Sequence, residues 1–120
     1  MNRLAAIGFV AILSLVAMPA MSQDQDELDY LVRMQTEVQQ FMAEAENATR
    51  AGDTARACAA LRQATISVGA GYITASAMAD DMADEGASRS DIADIRQIEN
   101  DFLTQRSMVA EIAVDCPHDE

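Results

Sequence analysis

Residues 84–91 read Asp-Glu-Gly-Ala-Ser-Arg-Ser-Asp, and this stretch decides the fold. Gly86 suits the left-handed conformation that closes a helix. Ser88 followed three residues later by Asp91 has the form of a capping box that opens one, with Asp in place of the usual Glu. A stop and a start this close together turn the chain back on itself. The segments on either side are therefore expected to lie antiparallel.

Both flanking segments carry helical periodicity. Upstream, about Thr54 to Ala83, the chain is rich in Ala, the strongest helix former. A seam of Cys58, Leu61, Val68, Tyr72, Ala75 and Met82 runs along it, with Thr65 and Ala79 filling the register. Gly71, Ala75 and Ala79 fall four apart, a spacing that lets a neighbouring helix come close. Gly69 and Gly71 each cost about 1 kcal/mol relative to Ala; the reading favoured is one continuous or mildly bent helix. Downstream, about Arg89 to Asp115, the seam is Ile95, Ile98, Phe102, Gln105, Val109, Ile112 and Cys116, alternately three and four apart. Pro117 stops it.

A second break, Arg50-Ala51-Gly52-Asp53, separates off one more helix. Gly52 ends it and Asp53 caps the next. That first segment, about Gln25 to Ala48, has a seam of Leu31, Met34, Val38, Phe41, Ala45 and Ala48, widened by Leu28 and Met42. Asp24, Asp26, Glu27 and Asp29 crowd its start, where carboxylates favour the positive end of the helix dipole. No stretch alternates as a strand would. The expected fold is all-α: an antiparallel three-helix bundle, a long helical hairpin plus an N-terminal helix.

The cysteines test that architecture. Cys58 lies 28 residues before Gly86 and Cys116 lies 30 after it, so a hairpin turning there sets them at one height. The spacing predicts a Cys58–Cys116 disulfide. A Cys-x-x-Cys redox pair is absent, and two Cys with one His cannot complete a four-ligand zinc finger.

Residues 1–22 read as a signal peptide of bacterial type, leaving 23–120 as the helical domain. Arg3 gives the positive start, Leu4 to Ala17 is uncharged and mostly apolar, and Pro19 ends the run. Ala20-Met21-Ser22 places cleavage before Gln23; Met18-Pro19-Ala20 would place it before Met21. The apolar run is shorter than a spanning helix needs, which favours cleavage over an anchor, and no second apolar segment of spanning length follows, so no stable membrane insertion is expected after cleavage. Export would carry the chain to the periplasm or the medium, where paired cysteines oxidise.

Twenty Asp and Glu against eight Arg, with no Lys, give a net charge of −12. Cleavage removes Arg3 and no acid, so the mature 98 residues would carry −13. Such a chain has no basic surface with which to track nucleic acid or rest on anionic lipid. The acids avoid the seams, which marks them as the surface of a bundle.

Chemistry is sparse. His118, the sole imidazole, sits in the tail, where neither a nucleophile nor an orienting acid is held. Asp80, Asp81, Asp84 and Asp91, with Glu85 and Asp94 nearby, are candidate ligands for a hard cation, although the calcium-loop register fails at Ala83 and Ile92. Met34, Met42, Met78, Met82 and Met108 are thioethers that could hold cuprous copper, but helical spacing reads them first as core or interface filling. Gln35 adjoins the seam and Gln105 lies on it, a placement that commonly fixes register or oligomeric state. The Asn47-Ala48-Thr49 sequon is read as chance.

The expectation is therefore a small exported acidic protein, not an enzyme and without a cofactor. It would act as scaffold, inhibitor or adaptor on a protein partner, either a basic one or a second copy of itself. The alternative is a periplasmic cation-binding protein using the acidic turn or the methionines.

Overall fold

A computed structural model describes residues 25–117. The expected signal segment at 1–22 and His118 thus lie outside the described residues. Three helices follow one another: α1 over Gln25–Arg50, α2 over Thr54–Asp84 and α3 over Arg89–Ile112. A 3-10 turn, Ala113–Asp115, follows α3. Among the described residues there is no strand. The fold is the expected antiparallel three-helix bundle, with α2 in the middle of the chain packed against both neighbours. Its longest dimension, 50 Å, is close to the length of α2, about 46 Å at 1.5 Å per residue.

Both turns are built as their sequences demand. Gly52 and Gly86 adopt φ of 75° and 78°, the left-handed region that a Cβ disfavours. Around each, two backbone bonds close the preceding helix. Asp53 and Gly52 donate to the carbonyls of Ala48 and Thr49, and Ala87 and Gly86 donate to those of Met82 and Ala83. This crossed pair of bonds is the Schellman arrangement. Each following helix is then capped: the Asp53 carboxylate accepts from the Arg56 amide, and the Ser88 hydroxyl accepts from the Asp91 amide.

The core falls into two apolar clusters. Near the α1–α2 turn lie Val38, Met42, Ala45, Leu61, Val68 and Val109 with a set of alanines. Near Gly86 lie Leu31, Met34, Met78, Met82, Ile95, Ile98 and Phe102 with Ala75 and Ala79. The first cluster is poor in large side chains, and α3 enters it with only one fully buried residue, Val109.

Two expectations need correction. The seam traced on α2 was too narrow. Ala57, Ala60, Ala64, Ser67, Gly71 and Met78 are buried as well, whereas Thr65 is exposed and Tyr72 only half-buried. A helix flanked by two neighbours buries a wider arc than a single three-four stripe. Thr65 instead turns its hydroxyl back to the Leu61 carbonyl. At the other end, α3 stops at Ile112 rather than continuing to Asp115, and Cys116 has extended backbone (φ −80°, ψ 146°). Pro117 accounts for the extended Cys116: a residue preceding proline is driven out of the helical region.

Candidate functional site

The disulfide joins Cys58, buried on α2, to Cys116 beyond the 3-10 turn, with a Cα–Cα distance of 5.7 Å. It therefore ties the last turn of the chain to the alanine-rich cluster. In the chain-entropy account, closing a loop of this size stabilises the fold by about 4 kcal/mol.

The acidic residues at the Gly86 end are spread rather than gathered. Asp80, Asp81 and Asp84 are exposed on the last turns of α2, and Asp91 sits in the first turn of α3. Arg96 reaches across from α3 to Asp80, Nη2 to Oδ1 at 2.7 Å, and also pairs with Glu99. Asp80, and after it Glu99, hold the Arg96 guanidinium above its ordinary pKa. Among the described residues no three His, Cys, Asp or Glu side chains form a group able to hold a metal ion. Of the methionines, Met34, Met42, Met78 and Met82 are core residues, while Met108 is exposed on α3.

Midway along the bundle, between the two apolar clusters, lies a polar layer. Gln35 from α1 and Gln105 from α3 are each only 4 % exposed. Neither Nε2 nor Oε1 of Gln35 has a hydrogen-bond partner, and Oε1 of Gln105 has none. On α2 at the same height, the Ser67 hydroxyl donates to Glu37 Oε1 of α1. Gly71 completes the layer. A Cβ there would clash with the edge of the Phe102 ring of α3, so this glycine marks a close helix crossing.

Gly69 is different. A Cβ built on it meets nothing within 4 Å. It lies on the outer side of α2, away from both neighbours, between Ile66 and Ile73. Those two side chains are 63 % and 67 % exposed, the most exposed large apolar residues described. From Gln63 to Ala79 the helix carries no charge at all. The outer stripe of α2 therefore runs Arg62, Ile66, Gly69, Ile73, Ser76, Asp80, alternately four and three apart, like the seams that face inward.

Sequence reading missed this second stripe, although its signal was present. Ile66 and Ile73 are seven apart and off the inward seam, so a helix that buries the seam must expose them. The other exposed apolar residues, Val32, Leu103, Met108 and Val114, are scattered over α1, α3 and the terminal turn.

An open hollow of about 270 Å³ flanks the stripe, lined by Phe41, Ala59, Ala60 and Gln63 and rimmed by the Arg56–Glu44 ion pair (2.8 Å). It is open and mostly apolar, with Arg62 also on its lining. Compared with family models, curated proteins and solved structures, the chain matches none.

Proposed function

We propose that this chain is a small exported helical protein that works by binding another protein, with no catalytic step of its own. One observation carries the reading: the outer stripe of α2 has helical seam spacing, no charge over residues 63–79, and its two large apolar side chains in solvent. Two exposed isoleucines a heptad apart on an uncharged helix face present a surface that a docking helix fits in three-four register.

Export is supported by the apolar run after Arg3, by the disulfide, and by the absence among the described residues of any helix long and apolar enough to cross a membrane. A cation-binding role has less behind it. Asp80 is engaged by Arg96, and Met78 and Met82 fill the core.

Immobilised oxidised protein, exposed to cell-envelope extract, tests the reading. The wild type should retain a protein that Ile66→Asp/Ile73→Asp does not, since both positions are exposed and the double variant should remain folded. Equal retention by both, or retention by neither together with a monomeric wild type, would remove the basis for a docking role.

A further inference from the structure

We infer that the occupant of the α2 outer stripe is a second copy of the same chain, docked antiparallel about a two-fold axis level with Gly71. This inference rests on reading the stripe as a docking surface, and it names the partner.

Three observations point to it. The first is Gly69. A glycine in a helix interior is about 1 kcal/mol less favourable than Ala, and nothing among the described residues requires one here, because a Cβ would meet open space. Gly71, two residues on, is accounted for by Phe102. A missing side chain in the middle of an exposed apolar stripe is what a closely approaching helix needs.

The second is self-complementarity. Reversing α2 about residue 71 returns the stripe to itself: Ile73 falls opposite Gly69, Ile66 opposite Ser76, and Arg62 opposite Asp80. Each large side chain meets a small one, and by symmetry each contact occurs twice, as an isologous interface requires.

The third is charge. α2 itself carries Arg56 and Arg62 toward its start, Arg56 already paired with Glu44 of α1, and Asp80, Asp81 and Asp84 toward its end. Antiparallel copies bring opposite signs together at both ends of the uncharged stretch; parallel copies would set like against like. Arg96 and Asp80 can keep their own ion pair throughout, because complementarity depends on the sign of each end rather than on a single bond. At a net charge near −12 two copies repel over most of their surfaces, and this face is where close approach meets least opposition.

The interface covers little more than one helix face, so a dimer of about micromolar affinity is expected. Sedimentation velocity of the full oxidised protein, from about 1 μM to about 1 mM, should show a concentration-dependent monomer–dimer equilibrium. Ile73→Asp should raise the dissociation constant at least tenfold. Gly69→Leu should do the same without lowering the melting temperature of the monomer, because its side chain has free space within the chain and improves helix propensity. For orientation, Ile66→Cys mixed with Ser76→Cys should yield the mixed disulfide in preference to either homodimer. A dimer unaffected by both substitutions, or homodimeric cross-links of Ile66→Cys, would overturn the inference. So would a wild type that stays monomeric throughout. If that monomer still retains a different protein through Ile66 and Ile73, the docking reading survives while the second-copy inference fails; if it retains nothing, both fail.

Discussion

Two glycines of α2, two residues apart, have opposite physical roles. Gly71 sits under the Phe102 ring, where an added methyl has no room. Gly71→Ala is therefore expected to destabilise by about 1–3 kcal/mol through overpacking, despite its better helix propensity. Gly69→Ala should stabilise the monomer by about 0.5–1 kcal/mol. Urea unfolding of the two variants at a concentration where the protein is monomeric would read both signs. Gln35 poses a related question. Its amide is buried with neither polar atom partnered, which costs about 1–3 kcal/mol relative to a satisfied group. Gln35→Leu is expected to raise the unfolding free energy by about 1 kcal/mol or more. A loss of stability on that substitution would show that the amide is satisfied in solution by a buried water.

At the scale of elements, α3 is held unevenly. Toward its start Ile95, Ile98 and Phe102 are buried and Arg96 bridges to Asp80 on α2. Toward its end it contributes Val109 as a fully buried side chain, with Ile112, Ala113 and Cys116 only partly buried against an alanine-rich cluster. Alanine burial yields little hydrophobic stabilisation per residue, since that stabilisation grows with area. The disulfide thus fastens the weaker end. Reduction, or Cys58→Ser/Cys116→Ser, is expected to lower stability by up to about 4 kcal/mol. Hydrogen exchange should show protection lost first in residues 106–115 while the Gly86 end stays protected. Uniform loss along α3 would mean that the two clusters unfold as one unit.

For the whole molecule, the chain carries a net charge of −12, and the acids among the described residues lie on the outside of an elongated bundle. Like charges spread over such a surface oppose both compaction and pairing, and salt screens them over about 10 Å at 0.1 M. Thermal stability is therefore expected to rise with sodium chloride concentration, as differential scanning calorimetry would register. A fall would indicate that ion pairs such as Arg56–Glu44 and Arg96–Asp80 outweigh the general repulsion. Pairing through the uncharged face of α2 should likewise strengthen from low to moderate salt.

The sequence by itself determined the number of helices, their turns and the disulfide partners. Those features are local or follow from counting. Left-handed glycines at 52 and 86, caps at 53 and 88 and three-four spacing fix the elements, and a hairpin about Gly86 aligns Cys58 with Cys116. The stop imposed by Pro117 was also legible, though its reach back to Cys116 was underestimated. Only the tertiary structure decided what α2 does with its breadth. A single seam cannot reveal that a helix between two neighbours buries Ala57, Ala64 and Met78 too, because burial depends on how many partners surround it. Nor could spacing alone separate Gly71 from Gly69. That distinction depends on where the Phe102 ring of another helix comes to rest, and on which side of α2 is left open among the described residues.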